Sequence, residues 1–161
     1  MKKLGTVLLV IVILAGIALG VYAILPEYSK NIVRAVYQDH FDAEATAKIR
    51  IAQALENPNL KTDYKTILEA HTDLKGWVYD KAKDGSPEKV TFYGNKVSLI
   101  MKDIPDHDSM LYDNTTVKVE FITDADGKVT VNMYIGDFKN PVEDVVRPYA
   151  FEQLLNGAAG A

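Results

Sequence analysis

The residues best suited to chemistry lie in one polar segment, which begins at Asp103 and reads DIPDHDSMLYDN. It places His107 between Asp106 and Asp108. Carboxylates and imidazoles are common ligands of divalent metal ions. The alternative is a solvated polar connection between two hairpins, because neighbouring residues of a loop rarely converge on one ion. We keep these four side chains as metal-ligand candidates, and the sequence predicts no cofactor.

Motifs for covalent or phosphate chemistry are absent from the sequence. None of the four serines stands in a nucleophile-elbow context, and no glycine-rich phosphate loop occurs. The chain has no cysteine, which excludes a thiol nucleophile, disulfides and cysteine-based zinc sites. The Asp-Ala-Asp-Gly stretch at 124–127 lacks the remaining ligands of a calcium loop. The sequence therefore predicts a protein that is not an enzyme.

The charge balance restricts the partners. The 161-residue chain has a net charge of -4, and Lys2 and Lys3 are the only charged residues before Glu27. The remainder carries 16 basic and 22 acidic side chains. Nucleic-acid phosphates require a basic surface, so we predict no nucleic-acid partner.

Residues 4–25 form an uncharged run, in which fourteen of 22 residues are Leu, Ile or Val. As a helix, such a run spans ~33 Å, against ~30 Å of bilayer hydrocarbon. It predicts a transmembrane helix with residues 1–3 in the cytoplasm, by the positive-inside rule. A cleaved signal peptide, cut after Ala23, is the alternative. We expect a single-pass protein of the cytoplasmic membrane, with its domain in the periplasm or outside the cell. Its partners would be the lipid bilayer and other membrane or envelope proteins.

Two glycines in this run, Gly16 and Gly20, have the G-x-x-x-G spacing. On a helix they share one face and allow a second helix to approach closely. The alternative is that glycine is simply common in membrane helices. We keep the pair as helix-packing candidates, for self-association or for another protein.

The rest of the chain predicts an α+β domain. Helical spacing of apolar residues over 26–59 predicts a membrane-proximal helical stalk. Residues 60–155 are predicted to form a domain that packs with the stalk, and 156–161 a flexible tail. Within the domain, a second helix is predicted over 63–82. A short helix is predicted near the C-terminus.

Two hairpins are predicted between these helices. A Gly94-Asn95 turn would make the first. The second has alternating arms around a loop at 125–127, which pairs Asp124 with Lys128 and places Phe121 opposite Val131. Together they predict a four-stranded antiparallel sheet packed on a helix.

The order of these elements resembles that of type IV pilins and pseudopilins. The start MKKLG is similar to the basic leader of that family, which makes Thr6 the first mature residue. Pro26 lies near the position where the family's helix often kinks. Val10 occupies the place of the family's usual glutamate, and the C-terminal cysteine pair is absent. The resemblance implies a subunit whose apolar helix packs into a filament.

These observations predict a non-catalytic subunit or accessory protein of a membrane or envelope assembly, which acts through protein–protein contacts. A pilin-like filament subunit is one alternative. The other is an exported metal-binding protein or enzyme that uses the segment from Asp103 to Asp113.

Overall fold

The computed structural model describes residues 15–137 and 139–157. The helices are α1 (residues 15–24), α2 (Glu27–Phe41), α3 (Ala43–Ala54), α4 (Tyr64–Glu69) and α5 (Arg147–Asn156). The strands are β1 (Glu56–Asn57), β2 (Thr62–Asp63), β3 (Leu74–Asp80), β4 (Glu88–Met101), β5 (Met110–Thr123) and β6 (Val129–Ile135).

Strands β3 to β6 form a four-stranded antiparallel sheet in sequence order, and β1 pairs separately with β2. The α+β class, the count of four antiparallel strands and the short C-terminal helix agree with the prediction, whereas the first predicted hairpin does not form. Most of the predicted tail, from residue 158 onward, lies outside the described residues.

The prediction of a transmembrane helix over residues 4–25 is contradicted. Residues 4–14 lie outside the described residues, and residues 15–24 are helical. Across the described ranges, no helix combines the length and the apolar content needed to cross a membrane. The single-pass topology and the cytoplasmic-membrane localisation are corrected with it.

The predicted helical stalk is two helices that meet at Asp42. This residue has extended backbone angles (φ -122°, ψ 96°), and its Oδ1 accepts a hydrogen bond from the Ala45 N–H at 2.9 Å. An aspartate in this role satisfies one of the free N–H groups of a helix start. The chain can therefore turn between α2 and α3. Helix α3 then contributes Ala45, Ile49 and Ala52 to the core.

The predicted helix over 63–82 is wrong beyond its first turns. Helix α4 ends at Glu69, and the chain from Leu74 to Asp80 is strand β3. Trp77 and Tyr79 alternate into the core, and the strand pairs with β4 along its whole length. Aromatic residues favour such a half-buried pleated surface. Tertiary pairing with β4 thus decides the conformation of this segment.

The predicted turn at Gly94-Asn95 is also wrong, because β4 continues through both residues. The pairing with β5 shifts register just after Gly94, and Lys96 adopts φ +55°. Such a bulge absorbs an extra residue without reversing the strand. A Cβ on Gly94 would lie 2.8 Å from the ring of Phe92. The glycine therefore permits close packing rather than a chain reversal.

The second predicted hairpin is confirmed in its register. The Asp124 N–H donates to the Lys128 carbonyl at 3.0 Å, which closes the loop. The cross-strand partners are the predicted ones: Phe121 with Val131, Val119 with Met133 and Val117 with Ile135. Alternation and turn chemistry suffice here because both are local.

An aromatic cluster joins the sheet to the helices on its inner face. The Trp77 ring lies 5.1 Å from Phe92 and 5.7 Å from Phe121. Tyr64 of α4 lies 4.9 Å from Phe121 and 5.4 Å from Phe151 of α5. Edge-to-face aromatic pairs add stability beyond the burial of their area. The cluster positions α4 and α5 against the centre of the sheet.

Candidate interaction surface

Helix α2 exposes an apolar stripe. Val33, Val36, Tyr37 and Phe41 are between 47% and 76% exposed. Three of them recur every four residues, and Val36 follows Val33 by three, so all four lie on one side of the helix. The opposite side carries Ala35 and Gln38, the buried residues of α2. The stripe therefore faces away from the domain that α2 packs against.

Helix α1 is apolar on every side. All residues from 15 to 24 are exposed, and none is charged. Ile17, Leu19 and Ile24 are 58%, 70% and 81% exposed. A helix that is apolar all round is normally buried. We term α1 together with the α2 stripe the docking face.

Lys30 links the two helices of the docking face. Its Nζ donates to the Ala23 carbonyl at 3.0 Å, one of the free carbonyls at the end of α1. The same ammonium lies 6.0 Å from the centre of the Tyr22 ring. A cation near a helix C-terminus also interacts favourably with the helix dipole. The joint at Pro26 is therefore stabilised by contacts from α2 itself.

The two helix-packing candidates, Gly16 and Gly20, lie on α1. A Cβ at either position would meet no heavy atom of the described residues within 4 Å, its chain neighbours and its own helix backbone aside. This side of α1 is therefore open to a second helix. The role of the glycines stays a prediction.

The other side of α2 is held to the sheet by a main-chain contact that the sequence did not reveal. Gln38 Nε2 donates to the Tyr79 carbonyl at 2.9 Å, and its Oε1 accepts from the Tyr79 N–H at 2.8 Å. The side-chain amide thus bonds to β3 as a neighbouring strand would. No sequence pattern indicated this contact, because a single glutamine in a helix carries no periodic signal.

Two further contacts fix α2 on β3. Arg34 Nη2 donates to the Tyr79 carbonyl at 2.8 Å and lies 2.7 Å from Asp80 Oδ1. The Tyr28 hydroxyl donates to the Leu74 carbonyl at 2.8 Å. Burial raises the pKa of Tyr28 to about 12, so this hydroxyl keeps its proton at neutral pH. The docking face is consequently carried on a firmly seated helix.

His107, the central residue of the metal-ligand candidates, has partners within the protein. Its Nδ1 lies 2.8 Å from the Pro105 carbonyl, and its Nε2 lies 3.5 Å from Glu143 Oε2. The hydrogen bond to the Pro105 carbonyl raises the pKa of His107 above its ordinary value, and Glu143 acts in the same direction. Glu143 is 36 positions away, so sequence spacing could not reveal this pair.

The four aspartates of the same segment are exposed. Asp103 and Asp106 adopt left-handed backbone angles (φ +58° and +60°), and Asp108 is also exposed. Asp113 accepts a hydrogen bond from the Ser98 hydroxyl at 2.7 Å. No group of three His, Cys, Asp or Glu side chains within the described ranges could hold a metal ion. We therefore propose no metal site.

No family model, no curated protein and no solved structure matches the chain.

Proposed function

We propose that the chain is a non-catalytic subunit of a protein assembly, and that its docking face binds an apolar helix of a partner subunit. The exposed stripe on α2 carries this proposal. Four large side chains lie in one row on a helix whose other side is already anchored to the sheet. A contiguous exposed apolar patch on a well-packed element is typical of a protein–protein interface.

The side chains of the stripe suit a binding hot spot. Tyr37 and Phe41 are adjacent on the helix, with ring centres 5.5 Å apart. Aromatic anchors contribute most of the binding energy in many interfaces. Full burial of such a side chain contributes about 1.5–3 kcal/mol before the costs of association. The rigid seating of α2 reduces the ordering cost that a flexible segment would incur.

Site-specific photo-crosslinking in the source cells tests this proposal. A photo-reactive residue at position 41 identifies the partner, and the same residue at position 51 is the matched control. Ile51 of α3 is 63% exposed but lies outside the docking face. With the purified partner, Tyr37→Lys and Phe41→Lys together are expected to weaken binding at least tenfold, and Ile51→Lys to leave it unchanged. Equal crosslinking at both positions, or equal affinities, would contradict the proposal.

Other copies of the chain are a second candidate for the partner, favoured by α1. A helix that is apolar on all sides needs several neighbours, as in a filament whose subunits surround one another's helices. The resemblance of the predicted element order to that of type IV pilins motivates this candidate. Light scattering of the purified chain over a concentration series is expected to show growing oligomers, and Gly16→Leu with Gly20→Leu to suppress them. A monomer at all concentrations would rule it out.

A further inference from the structure

The free edge of the sheet at β6 is open along its first half. Alternate residues of an antiparallel strand bond to each neighbour. Lys128 and Gly136, which flank β6, bond towards β5, so the even-numbered residues face that strand. Val129 and Val131 therefore direct their N–H and C=O groups away from the sheet. No strand of the described chain lies beyond β6.

The second half of the same edge is covered. The Val142 N–H donates to the Met133 carbonyl at 2.7 Å, so the chain after β6 folds back over this part of the strand. Near the start of β6, both main-chain groups of Val129 and the N–H of Val131 have no hydrogen-bond partner among the described residues, whereas the Val131 carbonyl accepts from Arg147. An edge of this kind is a template for an added strand.

A groove of about 640 Å³ lies beside the open half. Residues 129–132 of β6 line one side, and residues 55–59 line it from the opposite segment. Tyr64 and Phe151 add apolar surface. Four strand residues span ~13 Å, so the groove matches a short extended peptide.

The groove also offers one cation. Arg147 Nη1 donates to the Val131 carbonyl at 2.9 Å, and its Nη2 lies 2.9 Å from Asp144 Oδ1. The Arg147 side chain is 25% exposed, whereas that of Asp144 is 91% exposed. An ion pair with so exposed a partner is weak and is displaced at little cost. A ligand carboxylate can therefore replace Asp144 on the guanidinium and form a planar, two-bond pair.

We propose that this groove binds an extended peptide segment of another protein, which adds to β6 as an antiparallel strand and places an Asp, a Glu or its C-terminal carboxylate on Arg147. Residues of the peptide opposite Val129 and Val131 direct their side chains towards Tyr64 and Phe151, so apolar residues are favoured at alternate positions. Main-chain bonds supply affinity and the alternating side chains supply specificity. This site is separate from the docking face and does not depend on it.

Selection of peptides from a displayed random nonapeptide library, with the full chain as target, tests the proposal. The selected peptides are expected to alternate apolar residues and to carry one acidic residue. N-methylation of the peptide residue paired with Val129 is expected to weaken binding about tenfold, and N-methylation of the residues that do not face β6 much less. Recovery of no peptide, or equal loss at all positions, would overturn it.

Substitutions in the protein provide a second test of peptide binding in this groove. Val129→Pro removes an N–H that forms no hydrogen bond with a described residue. The hydrogen bonds between β5 and β6 are therefore retained, and a proline is tolerated on an edge strand. This substitution is expected to lower the affinity for the selected peptide about tenfold, whereas Val129→Ile is expected to leave that affinity unchanged. Arg147→Gln is expected to remove the preference for the acidic residue, and Arg147→Lys to retain part of it. Unaltered amide NMR shifts at Val129 and Val131 with bound peptide would place the ligand elsewhere and refute the proposal.

Discussion

The two outer strands of the sheet are protected in different ways. At β3, helix α2 lies along the strand, and the buried Gln38 amide bonds to both main-chain groups of Tyr79. At β6, a single side-chain donor, Arg147, reaches the Val131 carbonyl beside an open groove. An outer strand exposes main-chain groups that otherwise pair with other chains. The chain thus closes β3 with its own helix and leaves part of β6 available.

The difference explains why two kinds of interaction surface occur on one small domain. At β3, the helix that covers the strand turns its second side, the stripe, towards solvent. Its interactions are therefore made by side chains. At β6, the main chain itself remains accessible, and its interactions depend on hydrogen bonds.

Among the changes that distinguish the two outer strands, loss of the Gln38 amide is expected to lower the free energy of unfolding most. Gln38→Leu preserves volume and leaves the buried Tyr79 N–H without a partner among the described residues. A buried unsatisfied donor costs about 3 kcal/mol at the upper end of measured values. Chemical denaturation is expected to show this loss of unfolding free energy. A loss no greater than that of Arg147→Met would remove the distinction between the two edges.

Disruption of the close packing between α2 and β3 is expected to cause the second-largest loss of stability. A Cβ on Gly76 would lie 2.7 Å from Ala35 Cβ and 3.1 Å from Ile32 Cδ1. Gly76→Ala is therefore expected to force α2 outward and cost about 2 kcal/mol. Gly16→Ala is the matched control, because the added methyl meets no described atom, and it is expected to cause no loss of stability. Equal thermal unfolding of both variants would show that α2 is not seated on β3 as described.

At the open edge, Arg147→Met is expected to cost only about 1 kcal/mol, the net value of an ordinary hydrogen bond. Water in the groove can replace the guanidinium on the Val131 carbonyl. Urea denaturation measures the change. Asp144→Asn, which removes only the exposed partner, is expected to leave stability unaltered. A loss as large as that of Gln38→Leu would mean that β6 is as firmly covered as β3.

The smallest effect concerns an ion pair next to the covered strand and depends on pH. Lys48 Nζ donates to Glu88 at 2.8 Å, and the Tyr79 hydroxyl donates to the same carboxylate at 3.0 Å. The Lys48 hydrogen bond lowers the pKa of Glu88 below its ordinary value near 4.5. The stabilisation is therefore present above pH ~4.5 and is lost as pH falls through the lowered pKa. Lys48→Met is expected to cost below about 1 kcal/mol at pH 7, and its melting difference from wild type to vanish in acid. A pH-independent difference would assign the effect to packing.

Local sequence patterns predicted some parts of the fold correctly. The hairpin of β5 and β6 follows from strict alternation and from Gly127, which adopts φ +79° in the loop. The same reasoning predicted a turn at Gly94-Asn95, but in the structure this glycine lies in a bulge of β4. Both sites satisfy the same local rule, and only the pairing of β4 with β5 along its length distinguishes them.

The interaction surfaces could be predicted only in part. The apolar residues of α1 and α2 are visible in the sequence, but a membrane was inferred as their environment, and that inference is contradicted. The cluster around His107 was recognised by residue type, whereas its partner Glu143 is distant in sequence. Gln38 and Arg147 were missed because a single polar residue carries no periodic signal.

By itself, the sequence determined the α+β class, the register of the last hairpin and the apolar character of the first two helices. These features depend on alternation, helical spacing and turn residues, which act between near neighbours. Only the tertiary structure decided that residues 74–80 form a strand, that Gln38 covers its edge and that the start of β6 stays open. Each of these depends on which main-chain hydrogen bonds find partners, and those partners are distant in sequence.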